Sequence, residues 1–107
     1  MASVSVSFAK KPTKQQILQE VLKFNPLKDL NLPSSPNQLI TYYHEDDKPQ
    51  TRLDRDHGNG MGIAMGRLRE NTFFDWKFIA LSHNTIRGAA GGAILLAELL
   101  YKKNYIN

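Results

Sequence analysis

The sequence predicts an α/β fold in which helices pack on a mixed β-sheet. Three observations support this prediction: an alternating apolar segment opens the chain, a capped amphipathic helix follows, and two apolar strand-like segments precede a long apolar helix. A chain of 107 residues is long enough for one small domain. It is too short for a cofactor-binding domain together with a catalytic domain.

Composition narrows the class of protein. Hydrophobic residues make up 41% and charged residues 22% of the sequence, a globular balance that predicts a soluble protein. The excess of basic over acidic residues, 14 − 10 = +4, is scattered along the chain, so we expect no nucleic-acid partner. No cysteine is present, which excludes disulfides and a cysteine nucleophile within these residues. No apolar stretch approaches the roughly 20 residues of a membrane span, so no membrane partner is expected.

The first element is a predicted strand. Val4, Val6 and Phe8 alternate with serines, the period-two pattern of a strand with one buried face. Because the pattern begins almost at the first residue, we expect the chain to be part of a longer protein.

A helix is predicted to follow from Thr13, with Gln16 three residues later completing a capping box. Asn25 and Pro26 then end it. Its apolar stripe consists of Ile17, Leu18, Val21, Leu22 and Phe24. Such a stripe is typical of a helix that packs across a sheet.

The middle of the chain is rich in turns. Residues 31–38 are predicted to form a surface loop, residues 39–43 a short strand, and residues 44–60 a long polar loop. A loop of this length is uncommon unless it is functional or packs against another element. It holds acidic residues and two histidines, His44 and His57. The third histidine of the chain is His83. The spacing of these residues matches no metal-ligand motif, so we predict no metal site and a solvated acidic run.

Two further strands are predicted at residues 63–69 and 74–82, joined by a hairpin-sized connection at residues 70–72. The second is largely apolar on both faces. Phe74, Trp76 and Phe78 share one face, and Ile79 lies on the other. This pattern favours a place inside a larger sheet or at a subunit contact.

The last helix is predicted from Thr85 to Lys102, with Asn84 or Thr85 as its N-cap. Three glycines occupy its first two turns: Gly88, Gly91 and Gly92. Each costs about 1 kcal/mol relative to alanine in a helix interior, which indicates close approach of a neighbouring backbone or a ligand.

Two glycine-rich segments are candidate ligand sites. Residues 58–62 read Gly-Asn-Gly-Met-Gly but lie between a loop and a strand, whereas a dinucleotide loop follows a strand and opens a helix. A simple turn is therefore favoured there. Residues 82–92 have the required context, and a ligand at the N-terminal amides and tight helix packing are equally good explanations.

Residues 82–91, Ser-His-Asn-Thr-Ile-Arg-Gly-Ala-Ala-Gly, followed by Ala-Glu-Leu-Leu at 97–100, resemble the end of the aspartate-semialdehyde dehydrogenases. The archaeal and fungal branch is the most similar. Three further segments of the chain resemble segments of that branch in the same order: Arg-Leu-Asp-Arg-Asp at 52–56, Gly-Asn-Gly-Met at 58–61 and Gly-Arg-Leu-Arg at 66–69. The resemblance covers essentially the whole chain.

The resemblance implies a cytoplasmic, homo-oligomeric enzyme, dimer or tetramer, that uses NADPH to reduce aspartyl phosphate to aspartate semialdehyde in amino-acid biosynthesis. The nucleophile of the family is a cysteine, and its catalytic histidine precedes the strand that opens this sequence. Neither can be assigned here, so we predict no catalytic residue and no turnover by the chain alone. The three histidines of the chain are not expected to replace the family histidine.

One site residue follows from the resemblance. The polar residue four places before Gly-Ala-Ala, here Asn84, is expected to contact the nicotinamide cofactor, NADP. Residues 1–83 are expected to be the latter part of the catalytic and dimerisation domain. Residues 84–107 are expected to form a helix returning to an NADP-binding domain that the chain lacks. The alternatives are a related malonyl-CoA or acyl-CoA reductase, and a non-catalytic dimerisation fragment.

Overall fold

The computed structural model describes residues 1–107 and confirms the α/β class. The strands are β1 (Ala2–Val6), β2 (Ile40–Tyr43), β3 (Ile63–Glu70) and β4 (Trp76–Leu81), and the helices are α1 (Lys14–Lys23), α2 (Thr51–Asp54) and α3 (Gly91–Lys102). A 3₁₀ turn spans Lys28–Leu30, and a π-helical turn spans Ile86–Ala90. The short α2 interrupts the segment that was predicted to be a continuous loop. β1 ends two residues before Phe8, earlier than its alternating pattern predicts.

The four strands form one mixed sheet in the order β1-β4-β3-β2. β4 is antiparallel to both of its neighbours, and β2 is parallel to β3. The interior position of β4 agrees with the prediction from its two apolar faces. Val4 lies opposite Phe78 and Val6 opposite Trp76, so the apolar residues of β1 and β4 share one face of the sheet.

Helix α1 packs on this apolar face. The predicted capping box is present: the Gln16 N–H donates to Thr13 Oγ1 at 3.2 Å, and the Thr13 N–H donates to Gln16 Oε1 at 2.9 Å. Beneath the helix lie the buried residues Met65, Leu68 and Trp76, against which Ile17, Leu18 and Val21 pack. Leu22 and Phe24 are each 55% exposed, so the packed stripe is narrower than the predicted one.

A second core cluster lies beside α3. Leu32, Met61 and Leu95 form its buried centre. Leu32 belongs to the segment predicted to be a surface loop, so that prediction is wrong for this residue. The segment is held on α3 by Glu98, whose two carboxylate oxygens each accept from the Ser34 N–H at 3.0 Å. This contact explains the single charged residue in the apolar stretch from Ala93 to Leu100.

The molecule is more open than its size predicts. Its accessible surface is 7446 Å², whereas a compact monomer of this mass has about 6,000 Å². The radius of gyration is 15.3 Å, against about 13 Å for a compact domain of this length. Ile94 and Leu96 on α3 are each 56% exposed, and Phe73 beside β4 is 90% exposed. Large apolar faces are therefore left without a covering layer. No helix has the length and apolar character needed to cross a membrane.

Candidate functional site

The two glycine-rich segments, residues 58–62 and 82–92, pack directly against each other. A Cβ on Gly60 would lie 2.7 Å from Ile86 Cδ1, and a Cβ on Gly91 would lie 2.5 Å from Met61 Sδ. Contacts this short leave no room for a side chain. The two segments are therefore one structural unit, although residues 63–81 separate them in the sequence.

The first segment forms the predicted turn. Its backbone has positive φ angles at Gly58 (60°), Asn59 (59°) and Gly60 (79°), a conformation that glycine adopts without steric cost and asparagine tolerates. The carbonyl of His57 accepts from the N–H groups of Gly60 and Gly62, both at 3.1 Å. These bonds satisfy the turn internally, so its amides do not form a phosphate cradle.

The second segment begins with a π turn, so the predicted α-helix from Thr85 is wrong over its first residues. The Gly88 N–H donates to the His83 carbonyl at 3.0 Å and the Ala90 N–H to the Thr85 carbonyl at 3.2 Å, both across five residues. A Cβ on Gly92 would overlap the Arg87 carbonyl oxygen, so glycine permits this widened turn. Single π turns in helices are frequent at functional sites.

Only two of the three glycines meet a close neighbour as predicted. Gly91 touches the glycine turn, and Gly92 touches the π turn of its own segment. Gly88 does not, because a Cβ there would meet the His83 carbonyl oxygen at 3.6 Å and Asn84 Oδ1 at 3.8 Å, which are ordinary contacts. The surface at Gly88 is open, beside the Asn84 side chain.

Thr85, one of the two predicted N-cap residues, stands at the N-cap of the turn, but its side chain makes no capping hydrogen bond. Instead, His83 Nδ1 accepts from the backbone N–H groups of Thr85 at 3.3 Å and Ile86 at 3.2 Å. An imidazole nitrogen takes the place of the usual cap oxygen, a role that the preference of N-caps for Ser, Thr, Asp and Asn does not predict.

Asn84, the predicted cofactor contact, lies on the surface at the start of this turn. Its side chain makes no hydrogen bond within the chain, so both its donor and its acceptor are free. The neighbouring Arg87 has a buried Nη1 with no hydrogen-bond partner. A buried unpaired donor costs about 1–3 kcal/mol.

The long loop has one buried acidic residue that sequence reasoning missed. Asp54 is 7% exposed. Its carboxylate accepts from the Gln50 N–H at 2.6 Å and forms an ion pair with Lys48 Nζ at 3.1 Å. The acidic run at residues 45–47 is exposed, as predicted. No group of three or more histidine and acidic side chains lies close enough together to hold a metal ion.

Tyr43 lies beside this ion pair. Burial raises the pKa of its phenol above the ordinary value, and the nearby Asp54 carboxylate raises it further, while Lys48 acts in the opposite direction. Lys48 Nζ lies 5.7 Å from the centre of the Tyr43 ring. Tyr43 therefore stays neutral and packs beside Lys48.

Comparisons with known proteins show the family to which the chain is similar. No protein-family model matches the chain. The chain is 53% identical over 83 residues to the aspartate-semialdehyde dehydrogenase of Archaeoglobus fulgidus. The aligned residues cover 78% of the chain and 24% of that protein. It is 46% identical over 81 residues to the NADP-dependent malonyl-CoA reductase of Metallosphaera sedula, covering 74% of the chain and 23% of that protein.

Among solved structures, the fold also matches an aspartate-semialdehyde dehydrogenase. The crystal structure of the Candida albicans aspartate-semialdehyde dehydrogenase with NADP superposes with a TM-score of 0.85 at 41% identity, over 97% of this chain and 30% of that one. The fold and the glycine-rich site thus define a segment of a semialdehyde dehydrogenase. Within that class, the chain belongs to the aspartate-semialdehyde dehydrogenase family. It spans between a fifth and a third of the length of these relatives.

Proposed function

We propose that the chain is the cofactor-contacting end of an NADP-dependent aspartate-semialdehyde dehydrogenase. The complete enzyme would reduce aspartyl phosphate to aspartate semialdehyde, with release of phosphate, in amino-acid biosynthesis. The observation that carries this proposal is the exposed Asn84 on a histidine-capped π turn, in a chain that matches an enzyme solved with NADP. We further propose a cytoplasmic homo-oligomer, a state that the uncovered apolar surface beside β4 favours.

Asn84 is the proposed contact to the nicotinamide. A carboxamide needs a donor and an acceptor in one plane, and an asparagine side chain offers both. The chain uses neither of them, and the adjacent Gly88 leaves space for a ligand to approach. Since the N-terminal turn is capped by His83, Asn84 is not needed as a cap.

Residues 84–107 are the proposed contact to the cofactor-binding domain, and residues 1–83 are proposed to belong to the catalytic and dimerisation domain. Ile94 and Leu96 lie on either side of the buried Leu95 and are each 56% exposed, which leaves apolar surface of α3 that a neighbouring domain would bury. The unpaired Arg87 Nη1 supports the same arrangement, because a polar group of that domain would pair it. Hydrogen exchange tests this division: α3 amides in the isolated chain should exchange much faster than those of β4. Equal protection would count against it.

We propose that the chain alone is catalytically incomplete, since it holds no cysteine to form a thioacyl intermediate. The direct test is a chimera in which this chain replaces the matching segment of the Candida albicans enzyme. The chimera should oxidise NADPH during reduction of aspartyl phosphate, and the isolated chain should not. An inactive but folded chimera would argue against the proposal, and turnover by the isolated chain would overturn it.

A second candidate function is reduction of malonyl-CoA, favoured by the 46% identity to the Metallosphaera reductase. If the chain serves mainly the cofactor, it should support either reaction according to the rest of the enzyme. Exchange of the same segment into the Metallosphaera enzyme tests this. Activity of both chimeras would mean that acyl specificity resides outside the chain, whereas activity of only one would assign the chain to that reaction.

A further inference from the structure

The two ring nitrogens of His83 have different roles. Nδ1 accepts from the N–H groups of Thr85 at 3.3 Å and Ile86 at 3.2 Å. A backbone N–H only donates, so Nδ1 must carry a lone pair and the ring proton must be on Nε2. Nε2 faces Asp56 Oδ1 at 3.6 Å, and the His83 side chain is only 18% exposed. Nδ1 is thus the cap acceptor, and Nε2 is the ring nitrogen that faces Asp56.

The backbone of His83 contributes a further bond, because its carbonyl accepts from the Gly88 N–H at 3.0 Å. Together, the ring and the carbonyl hold residues 85, 86 and 88. Asn84 lies between His83 and these residues, with no hydrogen bond of its own side chain. The position of Asn84 is therefore set by His83 rather than by contacts of the asparagine itself.

We propose that His83 is a positioning residue, which orients Asn84 toward the nicotinamide of the bound dinucleotide by capping the π turn. This inference rests on the proposed function. A cap that serves stability alone would affect the whole protein equally. A positioning role predicts instead a loss that is specific to the dinucleotide, because the misplaced group is the one that contacts it.

Two substitutions of similar size separate these possibilities. In His83→Asn, the side-chain oxygen lies one bond beyond Cγ, as Nδ1 does, and retains a cap acceptor. In His83→Gln, the polar atoms lie one bond further out, near the place of Nε2. Measured in the Candida chimera, H83Q should raise the KM for NADPH about fivefold with kcat within about twofold, as loss of a cap is worth about 1 kcal/mol. H83N should stay within about twofold for both.

Two control substitutions match these variants. His44→Gln makes the same chemical change at an exposed histidine of the long loop, outside the site. Asp56→Asn removes the carboxylate that faces Nε2 at 3.6 Å, a contact that should contribute little because the Asp56 side chain is 73% exposed. Both should leave the KM for NADPH within about twofold of the unsubstituted chimera.

The outcomes distinguish the inference from the function on which it rests. An unsubstituted, folded chimera that fails to use NADPH overturns both. In an active chimera, equal KM values for H83Q and H83N overturn the positioning role alone. A fall in kcat together with a rise in the KM for the acyl substrate also overturns it, because that pattern indicates general damage. If H83Q folds poorly, His83→Ala and a fluorescence titration with NADPH give the same comparison through the dissociation constant.

Discussion

Replacing Gly91 with alanine adds a methyl group where the structure has no room for one. The new Cβ would lie 2.5 Å from Met61 Sδ and 2.9 Å from both Ile86 Cγ2 and the Ile86 carbonyl oxygen. The thioether of Met61 can move, but the carbonyl is part of the π turn and cannot yield without breaking it. Overpacking of this kind costs about 1–3 kcal/mol.

The gain from helix propensity partly offsets this cost. Alanine is favoured over glycine in a helix by about 1 kcal/mol. Gly91→Ala should therefore lower the free energy of unfolding by up to about 2 kcal/mol, the difference of the two effects. Gly88→Ala is the matched control, since its Cβ meets nothing closer than 3.6 Å. That variant should be as stable as the original chain, or more stable by up to about 1 kcal/mol.

The assay is urea denaturation of the chain, followed through the fluorescence of Trp76, its single tryptophan, which is 6% exposed. The gain in helix propensity is common to both alanine variants, so they should differ by the overpacking cost of about 1–3 kcal/mol. With a slope of about 1–2 kcal/mol per molar urea, their midpoints should differ by about 0.5–3 M. Coincident midpoints would refute the close packing of the two glycine-rich segments. The same two variants in the chimera report on the ligand: Gly88→Ala should raise the KM for NADPH, because its methyl group occupies the open surface beside Asn84.

Three further predictions concern single side chains. Asn84→Ala in the chimera should raise the KM for NADPH and leave the melting temperature unchanged, and unchanged cofactor kinetics would contradict the assignment. Asp54→Asn should lower the free energy of unfolding by about 2 kcal/mol in urea denaturation, since it removes a buried charge-assisted bond to Gln50 and the ion pair with Lys48; Lys48→Met, by leaving Asp54 unpaired, should cost a similar amount. The raised pKa of Tyr43 means that the unfolded chain loses this proton at lower pH than the folded chain. Stability linked to Tyr43 is therefore complete below about pH 10 and declines as the pH rises further, a decline that Tyr43→Phe should reduce in melting curves.

Periodicity and capping predict the elements whose signal is local. The alternation of Val4 and Val6 gives β1, and the pair formed by Thr13 and Gln16 gives the start of α1, because strand faces and N-caps are determined within a few residues. The interior position of β4 was also predictable, since both of its faces are apolar.

The errors have two other causes: contacts between residues far apart in the sequence, and local contacts that no common motif describes. Leu32 is buried only because the second core cluster brings α3 to its loop. The sequence predicts Asp54 to be a solvated charge, whereas the structure places it between Lys48 and the backbone of Gln50. His83 was set aside because the metal and catalytic motifs did not fit it, and no propensity scale ranks histidine among N-caps. A signal was present in Gly91 and Gly92, whose cost in a helix interior indicated the close approach of a neighbouring backbone or a ligand.

The packing of the two glycine-rich segments also explains why the family resemblance comprises separate motifs. Gly60 and Met61 lie in one segment, and Ile86 and Gly91 in the other, yet each pair closes on the other with no space for an added methyl group. A larger residue at Gly60 would displace Ile86, whose N–H is one of the two that His83 caps. A change in the turn would thus alter the cap and, through the cap, the position of Asn84. The turn at residues 58–62 therefore belongs to the proposed cofactor site through its packing alone, although its own amides bind no phosphate.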